Sequence, residues 1–495
     1  PGQEQTDSPL YRFTVDGTAP AGSISAMQNT WELFVEAITF GLFSANSQEV
    51  SMTGTDETAG VFSLEYVVLE EILTKDELIS RDARGEISWE IDEEGRVPVG
   101  IVDRSCTRDP DSRNIIYTKV TDYADNTEYF SSEGFILDST VPQWTQPEVL
   151  GTNQAESGIF HGDVSLKIDV QDPDTSDDSY SVYSGLKNIW YEVTDRNDSK
   201  NTTVYPLMEN GVQVDAEKNA YVESFDTEVS DAISDGAYSR IQRVQAQVTF
   251  PAEEFNSNDV TVQFYAQDNA DNIQSSEITE LMIDITSPEV TVEFTGNVPV
   301  RNYAYFQSAR EAVLTFKDRN IDMEDMGISI SAENFEGAAQ NDESGTYSLQ
   351  NLKDGNANTL FTVKPNSYVD SQGDRDPKNY SDERTVQVTV VFNPDAVYRI
   401  EDVLCMDQAD LTAQNTVYEG QEPYQEFTVD HQIPEGTVSV SIGKDSVWEN
   451  LWSIVTFGLF SNKEEETVTI TAADEFSPIE KIQYVVLPEI ISTEE

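Results

Sequence analysis

The segment DGTAP at residues 16–20 returns as DSTVP at 138–142, as DITSP at 284–288 and as DHQIP at 430–434. Each copy follows a short run of β-forming residues: RFTV, GFIL, LMI and EFTV. Each precedes a stretch in which apolar and polar residues alternate. Proline lacks an amide donor, so it sits at the first residue of a strand rather than inside one. An Asp-led polar turn ending in Pro therefore suits a linker between domains. The four copies predict the end of a preceding domain at 1–16, domains at 17–138, 139–284 and 285–430, and a partial domain at 431–495.

Inside each predicted domain the same order of elements recurs. An early alternating run ends in Asp: VSMTGTD at Asp56, LKIDVQD at Asp172, AVLTFKD at Asp318 and VTITAAD at Asp474. Alternation with a period of two reads as a strand with one buried face. A turn feeding the next strand follows in AGVFSLEY (59–66), SGLKNIWY (184–191) and SPIEKIQY (477–484). A late strand then ends in YTKVTDYADN, FYAQDNADN and VLCMDQADL. The D-x-A-D-N run reads as a tight turn, with Asp125 and Asp271 where a left-handed residue is needed; Asp tolerates that conformation better than most. Short strands at regular spacing in units of this size predict an all-β chain of tandem immunoglobulin-like β-sandwiches.

A longer period overlies the domains. TFGLFS at 39–44 returns at 456–461, with Trp31-Glu32 matching Trp448-Glu449 upstream. FTVD at 13–16 likewise returns at 427–430. The period is about 415 residues, and incomplete domains at both ends make the chain read as a window from a longer one. The stretch QNTWELFVEAITFGLF at 28–43 stands apart. Trp31, Phe34 and Ile38 fall at helical spacing, which predicts one short helical insert per long repeat, capping a sandwich or covering a neighbour. Its Trp31, Phe34, Phe40 and Phe43, with Trp448, Phe457 and Phe460 in the second copy, are expected to be buried.

These junctions, hairpins and the TFGLF segment resemble the tandem bacterial Ig-like repeats of large Gram-positive cell-surface proteins. FKDRNID (316–322) and VVFNPDAVY (390–398) resemble another repeat type of such proteins. The resemblance spans essentially the whole chain. Asp replaces the family's usual Gly in the hairpins, and Leu411 its usual Asn, which bears on the turns and not on the fold. It implies extracellular or wall-anchored stalks without enzymatic activity.

Composition narrows the function. The 495 residues carry 92 acidic and 29 basic side chains, a net charge of −63. Nucleic acid and anionic membranes are poor partners for such a surface, whereas divalent cations are favoured. Salt adaptation is the competing explanation for the acidity. No apolar run approaches the ~18 residues of a membrane span. Two cysteines far apart, Cys106 and Cys405, give no disulfide framework and are expected to be free and buried. There are two histidines, and no G-x-S-x-G, H-E-x-x-H or glycine-rich phosphate loop, so no enzyme is expected.

The constellation that carries chemistry is made of aspartates. In an Ig-type sandwich the turns after the second and sixth strands lie at the pole where the linker enters. That topology brings together Asp16, Asp56 and Asp122; Asp138, Asp172 and Asp268; and Asp284, Asp318 and Asp407. Asp430 and Asp474 begin a fourth set. Calcium takes six to eight oxygens, and three carboxylates with carbonyls and waters meet the core of that need. The alternative is that each Asp makes a local Asx turn. The leading functional expectation is a structural stalk or filament on a bacterial cell surface, with neighbouring repeats as partners. The alternatives are an adhesin that associates laterally or grips a host or glycan ligand, and an accessory region of a secreted enzyme.

Overall fold

Val164–Gln171 shows how alternation becomes a sandwich. Val164, Leu166, Ile168 and Val170 are fully buried, while Lys167 between them is exposed. The strand lies antiparallel to Ile241–Phe250, in register from Val164 opposite Phe250 to Gln171 opposite Arg243. A one-residue slip would turn four aliphatic side chains to water, so the pattern itself pins the register.

The computed structural model describes residues 13–91, 100–176, 180–195, 201–229, 240–300, 304–333, 343–348, 360–372, 383–420, 425–441 and 467–487. The chain divides into two compact units, residues 1–152 with 162–282 and residues 153–161 with 283–495.

The first unit holds two sandwiches. In the first, a four-stranded sheet runs Asn29–Trp31, Ala21–Ala26, Gln48–Thr55 and Ile101–Arg108. It faces a sheet running Leu42–Ser44, Phe135–Leu137, Ser112–Asp122 and Val61–Leu69, with Thr127–Ser131 also paired to Ser112–Asp122. In the second, Gln143–Leu150, Val164–Gln171, Ile241–Phe250 and Val222–Val229 form one sheet. The other is built around Leu186–Asp195 and Val260–Asp268. The Tyr191 ring lies 5.3 Å from Phe264 on its own sheet and 6.0 Å from Phe250 on the facing one, tying the two sheets together.

The second unit holds a third sandwich. Glu289–Thr295, Arg310–Asp318 and Arg384–Phe392 form the middle of one sheet, and Gly327–Glu333, Ala396–Leu404 and Glu426–Val429 the middle of the other. Phe316, Ile328, Val388, Phe392, Tyr398 and Phe427 are in its core. Glu435–Ser441 and Thr467–Ala473 then pair as a two-stranded ribbon. Among the described residues no helix is long and apolar enough to cross a membrane. Both cysteines are free; Cys405 is buried and Cys106 half-buried.

The helix expected within residues 28–43 is not there. Met27 and Gln28 both have positive φ, 50° and 67°, and they turn Ala21–Ala26 straight back into Asn29–Trp31. Two left-handed residues in a row make the primed hairpin turn that matches strand twist. Downstream, Phe40 is left-handed at φ 52°, and Leu42–Ser44 runs parallel to Phe135–Leu137. The backbone amides between are met by side chains, Val35 by the Ser131 hydroxyl and Thr39 by Glu133. The segment does cap its sandwich. Phe40 and Ile38 are buried against Tyr117, Ile115 and Ile136, with Phe34 and Phe43 half-buried beside them. Trp31 is half-buried against the inner core. Trp448, Phe457 and Phe460 lie outside the described residues.

The helix lies instead at Lys75–Ala83. Thr74 caps it: its hydroxyl accepts from the Glu77 amide while the Glu77 carboxylate accepts from the Thr74 amide. Reciprocal caps satisfy two amides that a helix start leaves unpaired. Leu78 is its one buried residue and joins the cluster around Phe40. The sheet containing Ser112–Asp122 is therefore covered on both faces, and that strand is buried almost continuously along its length.

Phe40 is the anchor of that outer layer, with the Arg113 guanidinium 3.7 Å over its ring. Phe40→Ala should cost about 3–5 kcal/mol, as for other buried aromatics. Leu33→Ala, at a side chain 77% exposed, should stay within about 0.5 kcal/mol. Urea denaturation with hydrogen exchange on the amides of Ser112–Asp122 reads both; equal effects would show that the segment is not packed as described.

Candidate metal centres

Three strand ends meet at each linker. Asp56, Asp172 and Asp318 end or immediately follow the early strands Gln48–Thr55, Val164–Gln171 and Arg310–Asp318. Asp122, Asp268 and Asp407 stand at the hairpins that follow the late strands, and Asp16, Asp138 and Asp284 precede the linker prolines. In each trio, one carboxylate oxygen from every residue lies within 4.8 Å of the others. The expected convergence of all nine aspartates is therefore present. Asp430 and Asp474 do not enter such a group among the described residues. Asp430 accepts from the Gln432 amide at 2.9 Å, and Asp474 from the amides of Phe476 at 3.1 Å and Ser477 at 2.8 Å.

The Asx turns are present too, and they aim the carboxylates. In the linker residues, Oδ1 of Asp16, Asp138 and Asp284 accepts the amide two residues on, from Thr18, Thr140 and Thr286 at 2.9, 3.0 and 3.0 Å. In the hairpins, Oδ1 of Asp122 and Asp407 accepts the amides two and four residues on, all at 2.8–2.9 Å. Asp268 Oδ1 accepts the Asn272 amide at 2.8 Å. That loop closes because Asp125, Asp271 and Asp410 are left-handed, at φ 72°, 68° and 62°. The local turn and the convergent site are thus one arrangement: the turn uses one side of each carboxylate and fixes where the other points.

Three further contributors carry no charge. Asn126 and Asn272 donate their side-chain amides to Oδ2 of Asp122 and Asp268 at 2.7 and 2.8 Å. The same amides reach the linker carbonyls of Asp16 at 3.3 Å and Asp138 at 2.9 Å, stitching hairpin to linker. Gly185 donates its amide to Asp172 Oδ2 at 2.6 Å from a left-handed φ of 87°, where a Cβ would stand 2.8 Å from Arg240 Cβ. The Asn that closes D-x-A-D-N and the Gly that opens SGLKNIWY were visible as turn residues; their second role depends on which carboxylate the fold sets opposite them.

The poles differ in dryness. Asp16 is half-buried, and the Thr18 hydroxyl and amide hold its carboxyl below the usual range. At the second pole Asp138, Asp172 and Asp268 are all fully buried. Burial, then the neighbouring carboxylates, push Asp172 up to about 8, and burial pushes Asp268 up to about 7. Asp172 Oδ1 has no hydrogen-bond partner. At the third pole burial raises Asp318 to about 7 and Asp407 to about 6, and Asp407 Oδ2 is also without a partner. Hard carboxylate oxygens, with no thiol or imidazole among them, are the donor set of calcium or magnesium rather than of zinc or copper. At the second pole an unpartnered oxygen on a fully buried aspartate fits such an ion.

No family model matches this chain, and no curated protein does. Among solved structures, one described as giving structural insight into host cell surface retention of a 1.5-MDa bacterial ice-binding adhesin is 12% identical. It covers 81% of this chain and 99% of its own, with a TM-score of 0.25. The crystal structure of dimeric latent PorU from Porphyromonas gingivalis is 10% identical over 81% of this chain and 34% of its own, with a TM-score of 0.18. Likenesses that distant leave the function to be read from the geometry.

Ion-free, the second pole makes stability depend on pH. Asp172 has an ordinary value of 3.8 when unfolded and about 8 when folded, so between those limits the folded chain holds a proton that the unfolded chain releases. Stability from this group is complete below pH ~4 and is lost as pH rises through ~8. In the presence of chelator, the melting temperature should therefore fall between pH 5 and pH 8. Asp172→Asn should lessen that slope, leaving the parts due to Asp268, Asp318 and Asp407, and an unchanged slope would show that Asp172 does not contribute to it.

Proposed function

We propose that this chain is a stretch of an extracellular bacterial stalk, with calcium held at the poles where linkers enter successive sandwiches. The observation that carries the proposal is the repetition of one constellation, linker Asp plus two strand-end Asp, in three consecutive sandwiches. A single binding or catalytic site needs no copies, whereas a spacer does. The work of the segment is then mechanical rather than catalytic. Its partners are neighbouring repeats of the same chain, and its acidic surface keeps it away from nucleic acid and anionic lipid.

The residues divide the task as follows. The linker Asp belongs to the connecting segment, and the two strand-end Asp belong to the sandwich it enters. A divalent cation shared by all three would supply the positive charge that lets them lie close together. The cores need no ion, since each is closed by aliphatic and aromatic side chains. Removing the ion should therefore loosen linkers without unfolding sandwiches.

Small-angle scattering and thermal melting of the chain, with millimolar calcium and again with chelator, test this. Calcium at 100 times its dissociation constant would add about 2.7 kcal/mol per site to the state that binds it. The expected outcome is a change in radius of gyration and a lower melting temperature on chelation, while the far-ultraviolet β signature persists. Identical scattering curves and identical melts would refute the proposal.

A further inference from the structure

We propose that Arg319 is a built-in cation at the third pole, standing where the first two poles are left open to a divalent ion, so that the three poles bind cations unequally. The inference rests on the cation reading of the poles and adds to it which pole is closed by the protein itself.

Three differences at the third pole go together. The first is charge in direct contact. Asp16 and Asp138 accept on Oδ2 from backbone amides, those of Ala59 at 3.1 Å and Ser184 at 2.7 Å. Asp284, fully buried, instead has the Arg319 guanidinium 3.0 Å from Oδ1 and the Asn320 side-chain amide on Oδ2. Both its oxygens are thus engaged by side chains of the early-strand turn. The residue after the early-strand Asp is Glu57 in the first sandwich, Pro173 in the second and Arg319 in the third.

The second difference is the stitch to the linker. Asn126 and Asn272 tie hairpin to linker in the first two sandwiches, through the Asp16 and Asp138 carbonyls. The third has Leu411 there, which has no amide to give. Its linker is held from the opposite turn, by Arg319 donating to the Ile283 carbonyl at 3.3 Å. The third difference follows from the second. Without an Asn at 411, Asp407 Oδ2 is left with no partner, where Asp122 and Asp268 have theirs capped at 2.7 and 2.8 Å. Arg319 thus supplies both the positive charge and the linker contact that Leu411 cannot.

The second pole marks the contrast. It too has a buried arginine, Arg240, but Nη1 of that residue donates to the Tyr183 carbonyl and its Nε and Nη2 have no partner. It lends Asp172 and Asp138 charge through space and does not occupy their oxygens. Asp172 Oδ1 stays unpartnered and fully buried. A divalent ion entering the third pole must approach a guanidinium already seated on a ligand carboxylate, and like charges at such range in a buried site repel strongly.

Hydrogen exchange of the whole chain with and without calcium tests this without any substitution. Protection should rise at residues 56–60 and 122–126 and at residues 184–186 and 268–272, with little change at 318–322 and 407–411. Calcium titration of Arg319→Gln should then show one more site than the parent chain, with affinity at the third pole raised about tenfold or more over the parent. Adding Asp284→Asn to Arg319→Gln should abolish the added site, which places it at the third pole. Equal protection at all three poles, or no added site in a folded Arg319→Gln chain, overturns the inference and leaves the calcium stalk intact. Protection at none of them overturns both.

Discussion

Three carboxylates forced within 4.8 Å of one another at the end of a sandwich are the constraint around which each linker is arranged. Unscreened, such groups repel, and burial makes each charge harder to carry. The chain answers with donors. Asx turns bring one or two backbone amides onto each hairpin carboxylate, left-handed aspartates close the loop that positions those amides, and in the first two sandwiches asparagines cap the oxygens the backbone cannot reach. What the donors do not reach, Asp172 Oδ1 above all, is what an ion would complete. Turn conformation and linker contacts are thus answers to one electrostatic problem.

Much of the fold was legible because burial in a sandwich is periodic. Val164–Gln171 and Arg310–Asp318 alternate as strands covered on one face must, and their sequences say so. Ser112–Asp122 does not alternate, because the segment around Phe40 and the helix Lys75–Ala83 cover its outer face. The helix is not legible for a related reason: it contributes one buried residue, Leu78, so it has no apolar stripe, and its signal is the T-x-x-E cap alone. Residues 28–43 misled in the opposite direction. Trp31, Phe34 and Ile38 have helical spacing, but left-handed Met27, Gln28 and Phe40 break any continuous helix into hairpin and loop. Spacing reports which residues share a face; it does not report whether the backbone between them can stay helical.

The site was legible to the extent that topology alone determines it. Sandwich connectivity places the linker, the second-strand end and the sixth-strand end together, so nine aspartates could be assigned to three poles from strand order. The neutral and cationic members could not, because they depend on register and side-chain reach. Gly185 matters through the close approach of Arg240 Cβ, Asn126 and Asn272 through simultaneous contact with hairpin and linker, and Arg319 through a guanidinium folded back onto Asp284. The departure at Leu411 was visible in the sequence as a broken motif. Its meaning emerges only beside Arg319, which makes the linker contact an asparagine makes elsewhere while Asp407 Oδ2 stays uncapped.

The acidity of the chain has two components that respond differently to salt. Nine of the 92 acidic residues form the three poles, so the poles cannot account for a net charge of −63. Surface charges a Debye length apart, ~8 Å at physiological ionic strength, are largely screened, and their repulsion fades as salt rises. Carboxylates packed within 4.8 Å and buried behind β-strands are screened far less. Salt adaptation and cation binding therefore do not compete as explanations. The first concerns the many carboxylates in water; the second concerns the few brought together at strand ends. Monovalent salt at high concentration relieves the surface and does little for the second pole, with its three fully buried aspartates. A divalent ion held there would act at concentrations too low to alter the surface, and that difference in concentration scale would distinguish a bound ion from a solvation shell.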